Sequence, residues 1–354
     1  MHPLIEYIPY SAANQLAISL CQQNWGVFLD SSDTTHAHAR YSAIGLDPFT
    51  AMVAQEPTQC PFSLLQQLLN QHQSQGIFNP PELPAGLQGG IAGYIGYECG
   101  LTAETNISHQ QPSLLPKWAF ACYDALVVFD HKKKRAWVIS TGLPETSTKQ
   151  QKQRAEKRLT WLKSLCINHI NNRNRSHIIN PVTSEEAKSN TTKNDYMTMV
   201  KKTQENILRG DCFEVNVAQR FTAKRKSGNN MDIYQQLRCL NPSPFSAFMQ
   251  LPKGQAIASS SPEQFLQCHN KHIITSPIKG SMLKSDDPAQ DQTYQQQLLN
   301  SKKDHAENVM IVDLLRNDLS QVCHDSSVHV SKLCELETFP TLHHLVSCIE
   351  GTLL

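Results

Sequence analysis

No pair of the 11 cysteines stands at C-x-x-C spacing. That argues against a zinc site, and in a chain of 354 residues scattered thiols argue against a disulfide framework. They read as the reduced cysteines of a cytoplasmic protein. Long apolar runs are lacking too. No stretch of about 18 residues is uninterrupted by polar side chains, so no membrane span is expected. The N-terminus, MHPLIEYIPY, has no basic segment leading into an apolar run, which argues against a secretory leader. Nor is there an excess of charge of either sign. Lys and Arg number 32 and Asp and Glu 31, for a net charge of +1. Neither nucleic acid nor a membrane surface is therefore an expected partner. The longest basic run, His131 to Arg135, lies between two strand-like segments and reads as a solvated turn.

What is present suffices for a buried core. Hydrophobic residues make up 40% of the chain, and its length suggests about two domains. Composition marks an N-terminal region, 1–167, a polar linker rich in Asn, Ser and Thr, 168–193, and a second region, 194–354. In the first region Trp25 to Asp30, Trp118 to Phe129 and Arg135 to Ser140 are rich in β-branched and aromatic residues and read as strands. The last two flank the basic turn as a hairpin. Phe62 to Leu69 and Lys149 to Ile167 read as helices. The stretch Leu87 to Glu98 carries G-x-x-G-x-x-G, which fits neither the dinucleotide nor the P-loop spacing. Glycines there are read as sites where another backbone comes close, in preference to a phosphate loop.

In the second region Asp195 to Leu208 has helical periodicity, with Gly210 just past its end. Phe213, Val215, Val217 and Phe221 alternate as a strand does. Ser246 to Leu251, Ala256 to Ser260 and His272 to Thr275 are further strands, and Tyr294 to Leu319 reads as one long helix. Strands and helices without regular alternation predict an α+β layered fold.

Three places carry chemistry. On the long helix Asp304, Glu307, Ile311, Leu314 and Asp318 share one face. Either the acids pair with basic residues at the margin of an apolar stripe, or Glu307 faces a cleft as a hard oxygen ligand. Ser261-Pro-Glu-Gln-Phe265 places Glu263 just after a strand. Sixteen residues beyond Glu263, Lys279 lies in Ser276-Pro-Ile-Lys-Gly-Ser281. It either snorkels to solvent or, if desolvated, loses basicity and becomes a nucleophile.

GDCFEVNVAQRF, SPEQF, PIKGS, KDHAENVMIVDLLRNDLSQVC and HHLVS together resemble the chorismate-utilising enzymes. That family includes the first components of anthranilate synthase and aminodeoxychorismate synthase, and the isochorismate and salicylate synthases. The likeness extends more weakly to Trp25–Ser31 and GGIAGYIGYE. It implies an anthranilate synthase component I-like layered fold, with two large, mainly antiparallel sheets and helices packed on them. Within the family PIKGS is similar to the aminodeoxychorismate synthases, since anthranilate synthases carry alanine where this chain has Lys279. The resemblance then implies conversion of chorismate and ammonia to 4-amino-4-deoxychorismate, for 4-aminobenzoate and folate synthesis. A separate glutaminase subunit would supply the ammonia. It implies Mg²⁺ held partly by Glu307, Glu263 as general acid and Lys279 as nucleophile. Gly280, Ser281 and His344 would be substrate contacts. It also implies a bound tryptophan at Ser31, His38, Ala39, Arg40, Tyr41, Pro244, Phe245 and Ser246. Ser281 stands where the family usually has threonine, and His38 to Tyr41 match only through Arg40.

HHLVS is followed by only seven residues, Cys348 to Leu354. Family members continue with a GSITGAPK-type segment, further strands and a second Mg²⁺-binding glutamate. The expectation is a catalytic domain cut short, poorly soluble and inactive by itself. Its rivals are an anthranilate synthase component and a binding protein without activity.

Overall fold

A computed structural model describes residues 2–34, 36–54, 60–72, 86–101, 114–172 and 180–354. The chain divides into two compact units, residues 1–177 with 237–354, and residues 178–236. The boundary at 177 falls within the compositional division 168–193, whereas the expected second region, 194–354, is shared between the two units. The helix Thr148–Asn171 runs into the expected linker. The first unit also takes in both ends of the chain, because the strand Phe245–Gln250 pairs with Val27–Asp30.

The first unit holds a seven-stranded sheet, in the order Leu4–Ile8, Arg135–Ser140, Ala125–Asp130, Tyr41–Gly45, Val27–Asp30, Phe245–Gln250 and Ala256–Ser261. Every neighbouring pair is antiparallel. A three-stranded sheet runs Thr50–Ala54, Trp118–Tyr123, Gly90–Ile95. Val27, Ala43, Val128 and Trp137 from the first sheet pack with Ala119 and Ala121 from the second in one buried cluster. The hairpin across the basic turn forms as expected, with Asp130 opposite Arg135.

The expected strand Trp118 to Phe129 is two strands, one in each sheet. The break is Asp124, which is fully buried. Its carboxylate accepts from Arg154 Nε at 2.9 Å and Arg158 Nε at 3.1 Å, both on the helix Thr148–Asn171. A buried carboxylate needs such partners, and they hold the chain where it crosses between sheets. The glycine-rich stretch forms the strand Gly90–Ile95. A Cβ on Gly93 would run into the carbonyl of Ala119 on the neighbouring strand, so close approach is the reason for that glycine.

A five-stranded sheet carries the chemistry-bearing motifs. The strand Leu342–Thr352 is its axis. His329–Thr338 pairs along one edge, and His272–Ser276 and Ile278–Leu283 follow one another along the other, with Gln264–His269 outside His272–Ser276. Two helices, Pro288–Leu299 and Lys302–Ser320, replace the single long helix that periodicity predicts. Ser301 interrupts them, since its hydroxyl accepts the Asp304 amide at 3.3 Å and starts the second helix as a cap. Val312 and Leu319 of that helix bury against Ile273 and Ile349 of the sheet.

In the second unit the helix Lys193–Arg209 begins at a Thr192 cap and ends at Gly210, with φ 82°. Of the predicted 213–221 strand only Phe221 is in a ladder, in the short strand Phe221–Thr222. Among the described residues 213–220 enter no strand ladder and are held instead by single bonds, the Tyr196 hydroxyl donating to the Val217 carbonyl at 3.0 Å and the Asn190 amide to the Arg220 carbonyl at 2.9 Å, so alternation alone does not make a strand. No helix among the described residues is long and apolar enough to cross a membrane.

Candidate active site

Two residues, Pro262 and Glu263, separate the last strand of the seven-stranded sheet, Ala256–Ser261, from the first of the five-stranded sheet, Gln264–His269. Proline has no amide to give a ladder. Ser261 Oγ accepts the Glu263 amide at 3.2 Å and tightens the corner. From there Glu263 Oε1 accepts the backbone N–H of Ile278 at 2.9 Å. The glutamate motif and the lysine motif thus meet, with Lys279 next in the chain to the amide that Glu263 holds.

Lys279 lies in a bulge. Ile278 is opposite Val346 and Ser281 opposite His344, so Lys279 and Gly280 together face one residue, Leu345. Such bulges re-aim a side chain. Gly280 takes φ 86°, a conformation that costs a side chain-bearing residue energy. A Cβ there would fall 2.9 Å from Asp304 Cβ on the second helix. Gly280→Ala is expected to destabilise the fold by about 1–3 kcal/mol, from backbone strain alone. The check is a lowered urea midpoint at unchanged slope. An unshifted midpoint would mean that the bulge relaxes freely.

The helix Lys302–Ser320 is fastened to the same bulge by Asn308, which is fully buried. Its Nδ2 donates to the carbonyl of Leu345 at 3.1 Å and reaches that of Lys279 at 3.5 Å, and its Oδ1 accepts from Ser347 Oγ at 2.5 Å. The acidic-face pattern does not point to Asn308, which lies outside that face. Its signal was a polar residue between Glu307 and the apolar run Val309 to Val312. Glu307 precedes Asn308 and is partly exposed, one turn beyond Asp304 at the bulge. Among the described residues no group of three or more His, Cys, Asp and Glu gathers to hold a metal.

Across the bulge Ser281 Oγ lies 2.7 Å from Nδ1 of His344. His344 is 6% exposed. Burial lowers its pKa, opposed by a hydrogen bond to the Gly280 backbone. Glu263, Lys279, Gly280, Ser281 and His344 therefore form one neighbourhood, and Glu307 stands on the helix packed against it.

The structure also gathers the second expected set. Ser31 Oγ donates to the Tyr41 carbonyl at 2.6 Å, and Ser32 Oγ lies 2.8 Å from Ser246 Oγ. Arg40 binds Asp130 at 2.8 Å and lies over the Tyr41 ring. Ala39 and Pro244 are buried, and the ring of His38 lies 5.9 Å from that of Phe245. Burial and the neighbouring His36 lower the pKa of His38. The polar groups Ser31 Oγ and the Arg40 guanidinium of this cluster are thus engaged within the protein.

The profile of a family described as chorismate binding enzyme matches residues 26–354. Aminodeoxychorismate synthase component 1 of Salmonella typhimurium is 36% identical over 343 residues, which is 93% of this chain and 70% of that protein. The Klebsiella aerogenes protein of the same name is 33% identical over 369 residues, covering 100% of this chain and 76% of its own. Among solved structures, anthranilate synthase component I from Streptococcus pneumoniae superposes with a TM-score of 0.72 at 26% identity, over 89% of this chain and 69% of that one.

Proposed function

This chain belongs to the chorismate-binding enzymes and uses chorismate, and from that premise we propose that it is the chorismate-converting component of an aminodeoxychorismate synthase. The observation that carries the reading is Glu263 held against the amide beside Lys279. A carboxylic acid is thereby fixed beside the backbone that carries an amine.

In this reading Lys279 attacks C2 of chorismate. The ring double bonds shift, and the C4 hydroxyl leaves as water with a proton from Glu263, since hydroxide is a poor leaving group unless protonated. Ammonia then attacks C4, the double bonds shift back, and the lysine amine is expelled from C2. The product keeps the enolpyruvyl group. Ser281 and His344 face the substrate beside the bulge. A glutaminase subunit supplies the ammonia.

Mg²⁺ fits the donor set in a limited sense. The ion is commonly held by one or two carboxylates, with water and substrate oxygens completing its shell. Glu307 would hold it, and the ion when bound would neutralise the ring carboxylate of chorismate. Tryptophan at the second cluster is a finer part of the same proposal. Phe245 and His38 offer ring faces, and the ligand would exchange its polar groups for the internal bonds of Ser31 and Arg40.

Glu263→Gln tests the acid role. With chorismate, Mg²⁺ and excess ammonium, turnover is expected to fall by about 10²–10⁴-fold, the range of general acid catalysis. Turnover within a fewfold of the parent would remove Glu263 from the chemistry. A product of anthranilate and pyruvate would replace the reading by anthranilate synthesis.

A further inference from the structure

His344 has a second set of neighbours on the side away from Ser281, and they come from opposite ends of the chain. In the hairpin His329–Thr338 to Leu342–Thr352, Glu337 is directly opposite His344. Ser281 is opposite His344 on the other side. Residues directly opposite share a face of the sheet, so Glu337, His344 and Ser281 form one row. Glu337 Oε2 is held by Nε2 of His36 at 3.1 Å. His36 lies in the turn that leaves the strand Val27–Asp30 of the other sheet, more than three hundred positions earlier, at |i−j| of 301.

Phe339 fills the angle between the two histidines. It is 5% exposed. The His36 ring stacks on it at 4.7 Å, and its own ring meets His344 edge-on at 5.1 Å. The Phe339 amide donates to the Leu342 carbonyl at 2.8 Å and closes the hairpin. The tip of this hairpin is thus clamped from outside, and the clamp touches His344 through a rigid ring.

We infer that His36 and Glu337 are positioning residues for His344, acting through Phe339 to hold the imidazole against Ser281 where substrate binds. The inference rests on the chorismate reading for its kinetic consequence but not for its structural one. His36 reaches His344 through Phe339 and Glu337. Its bond to Glu337 fixes where the hairpin tip sits, and the tip fixes His344. Removing the bond displaces a binding contact without removing an acid, a base or a nucleophile. The effect therefore falls on KM and spares kcat, as expected when uniform binding is lost.

The experiment uses the full-length protein with chorismate, Mg²⁺ and excess ammonium. His36→Ala is expected to raise KM for chorismate about tenfold, the scale of one net hydrogen bond, with kcat within about twofold. His36→Gln, whose amide nitrogen reaches the same carboxylate, is expected to return KM to within about twofold of the parent. An unmoved KM in His36→Ala, or a His36→Gln as impaired as the alanine variant, overturns the inference. If the parent protein turns over no chorismate, the proposed function fails, and the inference is read separately by histidine-labelled NMR without substrate. The His344 ring resonances, assigned with His344→Gln, should move in His36→Ala and return in His36→Gln. Resonances that stay in place in His36→Ala overturn it.

Discussion

Lys279→Ala is expected to lower formation of 4-amino-4-deoxychorismate by at least about 10²-fold, because a reacting group held in place is lost and not merely displaced. The backbone that carries the amine is anchored at two points. Glu263 holds the amide before it, and Asn308 reaches the carbonyl of Lys279 itself. No other lysine is presented by this bulge, so no neighbour takes over. The variant also leaves C2 open, and ammonia is expected to add there in place of the lysine. Chromatography with mass detection separates an aminated product at C2 from one at C4. Undiminished C4 amination would show that Lys279 has only a structural role, and the covalent route would be wrong.

The second large effect is on the fold. Asn308→Ala is expected to cost about 1–3 kcal/mol, the range for a buried polar group that loses its partner, although the Ser347 oxygen still accepts the Cys334 amide at 2.9 Å. The Leu345 carbonyl and the Ser347 hydroxyl both lose a partner in a fully buried setting. Urea unfolding followed by circular dichroism reads the loss. Asn308→Asp is expected to be worse than alanine above the carboxylate pKa, because it sets a charge against two carbonyl oxygens. A loss under about 0.5 kcal/mol, typical of a surface site, would mean that Asn308 does not fasten the helix.

The parts of the fold that sequence made legible are those set by local chemistry. Gly210 as a helix end and the hairpin across His131 to Arg135 depend on a few adjacent residues, and both occur. What was not legible depends on distant partners. Asp124 ends a strand because two arginines thirty and more positions away meet it. The alternation from Phe213 to Phe221 predicts a strand, but a ladder needs a second strand, and alternation does not say whether one is there. Ser301 splits the long helix through a three-residue capping pattern that apolar periodicity runs straight across.

The site divides in the same way. Glu263, Lys279 and His344 could be named from short motifs, and the structure brings them together. Asn308, Glu337, His36 and Phe339 could not. Each acts through a partner in another element, and a single sequence carries no trace of which partner that is. The bulge at Gly280 is intermediate. Gly280 belongs to a motif the sequence shows, but the register that makes it a bulge is set by Leu342–Thr352, some sixty residues on.

The seven-stranded sheet is assembled out of chain order. Its strand Val27–Asp30 emerges early from the ribosome, yet its partner Phe245–Gln250 follows far later. The hydroxyls of Ser32 and Ser246 that meet across this join are 214 residues apart in sequence. At translation speeds of about 5–20 residues per second, the nascent strand waits roughly 10–40 s with one edge open. An open edge is a template for any extended chain nearby. During that interval the half-made sheet presents a row of unpaired backbone amides and carbonyls. Slowing synthesis anywhere between codons 31 and 245 lengthens the exposure, so the yield of folded protein depends on the pace of translation through a stretch that contributes no strand to this join.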